Sequence, residues 1–160
     1  LFRDSVSASV YESLVTVGRL DEDTTGFLLV TSDGDLVNRI TKPEKKVDKS
    51  YRVESLDLIS EDQLISLRKG VEIVVKDHGS TETYHTLPAT VELEHEYCAI
   101  VTINEGKKRQ IRRMFTSIGN EVKHLHRLST EGMILEDYNL QPSEFCSITL
   151  EEIDRLIFRL

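Results

Sequence analysis

A polar segment early in the chain carries residues suited to acid–base or nucleophilic chemistry. Residues 18 to 26 read GRLDEDTTG and place the carboxylates Asp21 and Asp23 shortly after Arg19. The apolar run that starts at the end of this segment predicts a buried strand, and a rigid strand fixes the loop at its edge. A carboxylate close to an arginine stays ionised, so Asp21 is a candidate nucleophile or general base.

The same segment fits two other interpretations. In a chain with 28 acidic residues, it is also typical of an ordinary solvated loop. Asp21 and Asp23 together also suggest the carboxylate pair of a glycosidase, although acidic pairs are common in loops of acidic chains. Taken alone, the segment leaves all three interpretations open.

Two side chains farther along the chain are candidates to complete such a site. Tyr51 lies in residues 49 to 56, whose alternation of side chains predicts a half-buried strand. Arg112 lies in residues 107 to 118, where the apolar positions follow the i, i+3, i+4, i+7 spacing of an amphipathic helix: Ile111, Met114, Phe115 and Ile118. At about 100° per residue, Arg112 falls beside this apolar stripe. Without further information, the two residues equally fit a core tyrosine and a surface arginine.

Basic residues are clustered although the chain is acidic overall, with a net charge of −8. Residues 39 to 52 hold six basic and two acidic side chains, and residues 104 to 127 hold seven basic and two acidic ones. A basic face on an acidic body suits the binding of a polyanion, because clustered Lys and Arg neutralise phosphates. The alternative is that both clusters are ordinary solvated surface.

The remaining patterns predict the elements that position these residues. Strands are expected at residues 26 to 31, 49 to 56, 71 to 75, 87 to 93 and 97 to 103. Helices are expected at residues 35 to 41, 60 to 70 and 107 to 118, and after a capping box formed by Thr149 and Glu152. Strands and helices do not alternate strictly. The predicted class is therefore α+β, with a mixed, mainly antiparallel sheet flanked by helices.

Composition excludes several classes of protein. No apolar run approaches the roughly 18 residues needed to span a membrane. Cys98 and Cys146 are too far apart for a CxxC metal motif, and two cysteines make no disulfide framework, so a reducing cytoplasm is expected. His124 and His126 share one face of a strand-like run, but no third metal ligand lies nearby in the sequence.

Four segments in order resemble the RsuA/RluB/RluE/RluF family of rRNA pseudouridine synthases. Residues 17 to 34, VGRLDEDTTGFLLVTSDG, are similar to the catalytic motif of this family. Residues 49 to 51, KSY, and 105 to 115, EGKKRQIRRMF, are similar to its two later motifs. Residues 119 to 127, GNEVKHLHR, most resemble the RsuA branch, which modifies small-subunit rRNA. The resemblance extends over about residues 17 to 153.

The resemblance implies an enzyme that isomerises a uridine to pseudouridine in ribosomal RNA, in a pseudouridine synthase catalytic-domain fold, without cofactor or metal. It implies that Asp21 is the catalytic aspartate, Tyr51 the active-site tyrosine and Arg112 the arginine that pairs with Asp21. Tyr51 would stack against a uracil flipped out of the RNA. RNA contacts are expected from polar residues of the motifs, namely Arg19, Lys49, Lys107, Lys108, Arg109, Gln110, Arg113 and Arg127.

The chain also departs from the family pattern. Members begin with a small RNA-binding domain and a further strand before the catalytic motif, and neither is recognised here, so residues 1 to 160 are expected to be the catalytic domain alone. Residues 76 to 86 match no motif of the family. The expected partner is ribosomal RNA or a pre-ribosomal particle, bound by a monomer in the cytoplasm and not at a membrane. The rival hypothesis is a non-catalytic rRNA-binding or ribosome-assembly module on the same fold.

Overall fold

A computed structural model describes residues 2 to 77 and 79 to 160. The helices are α1 (Ala8–Ser13), α2 (Gly34–Thr41), α3 (Glu61–Lys69), α4 (Gln110–Ser117) and α5 (Leu150–Ile153), the last continued by a π-helical turn, Asp154–Phe158. The strands are β1 (Val15–Thr16), β2 (Thr24–Gly26), β3 (Val30–Thr31), β4 (Lys49–Ser55), β5 (Glu72–Asp77), β6 (Ser80–His85), β7 (Thr90–His95), β8 (Cys98–Ile103), β9 (Val122–Thr130) and β10 (Met133–Ile134). None of the described helices is long and apolar enough to cross a membrane.

The main sheet has the order β10-β9-β4-β8-β7, and neighbouring strands on this path are antiparallel. β2 pairs with β9 in parallel, which makes the sheet mixed. The predicted class, α+β with a mixed and mainly antiparallel sheet, is therefore confirmed. β4 lies at the centre, where Tyr51 is opposite Val101 of β8 on one side and Arg127 of β9 on the other.

One face of the sheet packs against α3 and α4 to form the larger core. Ile111, Met114 and Phe115 of α4 are buried there, as their spacing predicts. In α3, Leu64 and Leu67 are buried but Ile65 is exposed, because successive helical residues point about 100° apart and only one stripe faces the sheet. The buried face of this helix is therefore a narrow stripe.

A second, smaller core lies beside the Asp21 segment. It joins Leu36 and Ile40 of α2 to Met133 of β10 and to Ile153 and Ile157 near the C-terminus. Thr149 caps α5, since its side-chain oxygen accepts a hydrogen bond from the Glu152 N–H at 3.1 Å. The Glu152 carboxylate instead accepts a bond from the Tyr138 hydroxyl at 2.9 Å, so only one half of the predicted capping box forms.

The strand predicted at residues 26 to 31 is broken into β2 and β3, which belong to different sheets. The break follows Gly26, whose φ of +107° lies in the region that favours glycine. A Cβ atom at Gly26 would collide with the backbone of Arg127 on β9. Phe27 then donates its N–H to the Arg127 carbonyl at 2.8 Å, which ties the end of the Asp21 segment to the central sheet.

The hairpin formed by β5 and β6 is only half predicted. Residues 71 to 75, which are apolar apart from Glu72, indicate its first strand, but β6 reads STETYH and has no buried residue. A strand without an apolar face has no period-2 hydrophobic signal. This hairpin covers residues 76 to 86, the stretch that matched no family motif, and β5 packs against α4.

Candidate active site

A cleft of about 640 Å³ lies where the two cores meet. Its lining includes Asp21, Tyr51 and both basic clusters, which the sequence separates by more than 50 residues. Of the residues predicted to bind RNA, the cleft is lined by Arg19, Lys49, Lys107, Lys108, Arg109, Gln110 and Arg127. The fold thus brings the candidate carboxylate, the candidate stacking ring and the predicted basic face into one concave site.

Asp21 lies in a turn closed by a hydrogen bond from the Thr24 N–H to the Asp21 carbonyl, at 2.9 Å. The residue is half-buried at the wall of the cleft. Within the described part of the chain, its carboxylate makes no hydrogen bond or ion pair. The Asp21 carboxylate is therefore available to a molecule bound in the cleft.

Asp23 makes the ion pairs that fix this segment. Arg109 donates two hydrogen bonds to the Asp23 carboxylate, each of 2.8 Å, in the bidentate geometry that arginine favours. Arg112 Nε lies 3.3 Å from Asp23 Oδ2, and Arg112 Nη2 donates to the Asp23 carbonyl at 2.7 Å. Arg112 Nη1 also donates to the Val122 carbonyl at 3.1 Å. Arg109, at the start of α4, and Arg112, within α4, therefore both bind the Asp23 carboxylate.

This arrangement corrects the expectation that Arg112 pairs with Asp21. Arg112 is not among the residues that line the cleft, and its side chain is only 12% exposed. Its contacts with Asp23 and Val122 tie the Asp21 turn to α4 and β9. The sequence pattern placed Arg112 near the turn, but it could not decide which of two aspartates two residues apart would receive the arginine.

The hydrogen bonds from Arg109 are the main reason that the pKa of Asp23 lies below its ordinary value of 3.8, and the charge of Arg112 adds to this effect while burial opposes it. The ion pairs of Asp23 are therefore fully formed above its ordinary pKa, and they are lost as the pH falls through the lowered pKa.

We expect Arg109→Gln to raise the Asp23 pKa, measured by NMR titration of its carboxyl carbon. Lys69→Gln on α3, remote from Asp23, is the control and should leave the pKa unchanged.

The basic loop, residues 105 to 109, is held by an internal network. Glu105 accepts hydrogen bonds from the Tyr84 hydroxyl at 2.6 Å and from the Leu87 N–H at 2.9 Å, and also from the Gln110 amide. The Lys107 ammonium lies 4.2 Å from the centre of the Tyr84 ring. The bond to Glu105 also raises the pKa of the Tyr84 hydroxyl. Because Tyr84 lies in the strand that had no hydrophobic signal, the sequence does not predict this support.

Two residues predicted to contact RNA make hydrogen bonds within the fold. Gln110 is buried, and its amide bonds Glu105 while its carbonyl oxygen accepts the Lys107 N–H at 2.9 Å. Arg113 does not line the cleft, and it donates to the Val74 carbonyl of β5 at 2.6 Å. The polar second strand of the β5–β6 hairpin was not predicted, and β5 packs against α4 where Arg113 lies.

The floor of the cleft contains two cations. Arg127 is only 3% exposed, and its Nε donates to the Phe27 carbonyl at 2.6 Å. Lys49 is half-buried, and its ammonium donates to the Val47 carbonyl at 3.0 Å. Burial lowers the pKa of Lys49, and repulsion by Arg127 lowers it further, against a weaker attraction to Asp48 and Glu131.

The site offers acid–base or nucleophilic chemistry by a single free carboxylate. Within the described residues, no group of three or more His, Cys, Asp and Glu side chains could hold a metal ion. His126 Nδ1 instead lies 2.8 Å from the Thr25 hydroxyl. A glycosidase acid needs a raised pKa, whereas the pKa of Asp23 is lowered by its arginines. Asp23 is therefore unsuited to be the acid of a glycosidase, and it does not line the cleft beside Asp21.

Comparison with known proteins gives consistent results. The family model described as RNA pseudouridylate synthase matches residues 2 to 117. The chain is 41% identical over 145 residues to ribosomal small subunit pseudouridine synthase A of Vibrio parahaemolyticus, covering 89% of this chain and 59% of the relative. It is 37% identical over 144 residues to the protein of the same name from Escherichia coli, covering 90% of this chain and 59% of the relative. The chain therefore spans less than two thirds of these relatives.

A solved pseudouridylate synthase has the same fold. It superimposes with a TM-score of 0.83 at 33% sequence identity, and the match covers 95% of this chain and 63% of that one. The expected pseudouridine synthase catalytic-domain fold and the resemblance to the RsuA branch are both confirmed. With its family model matched over most of its length, the chain belongs to the RNA pseudouridylate synthase family.

Proposed function

We propose that this chain isomerises a uridine of small-subunit ribosomal RNA to pseudouridine, with Asp21 as the catalytic carboxylate. The observation that carries the proposal is the position of Asp21: within the described residues, its carboxylate is unpaired in a cleft that also contains Tyr51 and two basic clusters. The names of the relatives from Vibrio and Escherichia coli support ribosomal RNA as the substrate. Membership of the family supports the reaction.

The reaction breaks the bond from uracil N1 to ribose C1′, turns the base, and rejoins it through C5. The Asp21 carboxylate either attacks C1′ or removes a proton from C2′, and both routes require a carboxylate that is free of other partners. Asp21 is left unpaired because the neighbouring carboxylate, Asp23, pairs with both Arg109 and Arg112. Arg112 is accordingly a positioning residue that holds the Asp21 turn against α4.

Tyr51 and the cations at the rim of the cleft bind the RNA in this proposal. A base inside a folded RNA must be flipped out before its glycosidic bond can be reached, and an aromatic face compensates for the lost stacking. Tyr51 lines the cleft on the central strand β4 and offers that face. Arg19, Lys107 and Lys108 line the same opening and hold the flanking phosphates. The chain acts on this RNA as a monomer in the cytoplasm.

The proposal is tested by mapping pseudouridine after incubating the 160-residue chain with small-subunit rRNA, large-subunit rRNA and small-subunit precursor particles. We expect new pseudouridine in the small-subunit RNA or particle with the wild-type chain and none with Asp21→Ala. RNA that is retained but unmodified would contradict the proposal and favour an assembly module. Release of free uracil would favour a hydrolase, and modification of large-subunit rRNA alone would overturn the substrate.

A further inference from the structure

The two cations on the floor of the cleft, Lys49 and Arg127, have no assigned role beyond a general contact with RNA. Within the described residues, neither side chain has a carboxylate within 4.0 Å. Arg127 is almost fully buried, and a buried charge is costly unless it has a partner. The hydrogen bond that it donates goes to a neutral carbonyl, that of Phe27. A buried guanidinium that faces a cleft without a counter-ion indicates that an anion occupies the cleft during function.

The nearest carboxylates are used elsewhere. Glu131 accepts the Asp48 N–H at 2.8 Å, and its other oxygen lies 3.4 Å from Arg159. Asp48 and Glu131 attract Lys49 without forming an ion pair with it, and burial and the charge of Glu131 raise the pKa of Asp48. Burial is the main reason that the pKa of Lys49 is lowered, and repulsion by Arg127 lowers it further. The positive charge at the floor of the cleft is therefore only partly compensated.

The register of the sheet places this charge beside Tyr51. Lys49 and Tyr51 are two residues apart on β4 and point to the same face, and Tyr51 is directly opposite Arg127 on β9. The β4–β9 ladder shifts its register between Ser50 and Tyr51, and both Tyr51 and Arg127 line the cleft. A uracil stacked on Tyr51 would lie next to both cations. The phosphates of the RNA would be met first by the exposed cations at the rim, Lys107 and Lys108.

We propose that Lys49 and Arg127 form the site that stabilises the negative charge on uracil while it is detached from the ribose. When the N1–C1′ bond breaks, its electron pair stays on uracil and is shared between N1 and the ring oxygens. C5 then forms the new bond to C1′: in the route of nucleophilic attack this breaks the Asp21–C1′ ester, and in the route of proton removal Asp21 returns its proton to C2′. C5 finally loses its proton and N1 gains one, so the product is an isomer of the substrate. Fixed cations that meet charge as it develops lower the barrier more than they strengthen ground-state binding. This inference rests on the proposed isomerase function.

The test compares uridine with 5-fluorouridine at the same RNA position, in single-turnover reactions that measure consumption of the nucleoside. Fluorine withdraws electrons and stabilises a uracil anion without help from the protein. We expect Lys49→Met to slow uridine consumption by about 10²-fold, and 5-fluorouridine consumption by at most about tenfold, with RNA affinity changed less than about threefold. Lys49→Arg keeps the charge and should stay within about tenfold of wild type on both nucleosides.

Two further variants support the comparison. Arg127→Lys should show the same smaller loss on 5-fluorouridine, and thermal unfolding checks that each variant is folded. Lys69→Met on the distant helix α3 is the matched control and should react like wild type. Equal losses on the two nucleosides, or a loss confined to RNA affinity and its salt dependence, would overturn the inference and assign the pair to a phosphate. Failure of the wild-type chain to make pseudouridine would instead overturn the proposed function.

Discussion

Replacing Gly26 with Ala is expected to destabilise the chain by about 2 to 4 kcal/mol and to abolish activity. The φ of +107° is unfavourable for alanine, and the added Cβ would overlap the backbone of Arg127. Neither backbone can yield easily, because β2 and β9 are paired at this point and Phe27 bonds Arg127 in both directions. The end of the Asp21 segment would therefore move away from the sheet.

Gly34→Ala is the matched control for this prediction. A Cβ atom added at Gly34 would meet no atom within 4 Å, and Gly34 begins α2, where alanine is favoured. We expect its free energy of unfolding to change by less than about 1 kcal/mol, in the stabilising direction. Denaturant unfolding of the three chains measures both values. If Gly26→Ala unfolded at the same denaturant concentration as the control, the close packing of β2 against β9 would not be needed.

Much of the scaffold of the site could be predicted from local patterns. The period of Ile111, Met114 and Phe115 predicts α4, and the alternation around Tyr51 predicts β4, because each element buries one face against the same core. The basic clusters also indicated a single basic face, since each flanks one of these two elements. Such patterns can be read from a short stretch of sequence, because the residues that a helix or strand buries recur with the period of that element.

Other features depend on pairs that are distant in the sequence. The choice of Asp23 over Asp21 as the partner of Arg112 depends on how a turn docks against a helix some 90 residues later. The break at Gly26 depends on the close approach of Arg127, and the support for the basic loop depends on Tyr84 in a polar strand. None of these contacts produces a periodic pattern in the sequence. The free state of Asp21 therefore became visible only in the folded chain.

Replacing Asp21 with Asn is expected to reduce the rate of uridine isomerisation by at least about 10³-fold, which corresponds to about 4 kcal/mol of barrier. An amide can neither attack C1′ as a carboxylate does nor accept a proton from C2′. Since the Asp21 carboxylate makes no hydrogen bond or ion pair within the described structure and attracts Arg109 only at longer range, the substitution breaks no contact that holds the fold. We therefore expect stability and RNA affinity to be nearly unchanged, so that the loss is confined to the chemical step.

The most direct test measures single-turnover pseudouridine formation together with RNA affinity for wild type, Asp21→Asn and Glu22→Gln. Glu22 is an exposed acid of the same turn that does not line the cleft, so its variant removes the same charge without touching the site. We expect Glu22→Gln to stay within about threefold of wild type, while Asp21→Asn binds RNA normally and forms almost no pseudouridine. An Asp21→Asn chain that isomerises uridine at a rate close to that of Glu22→Gln would contradict the catalytic role of Asp21.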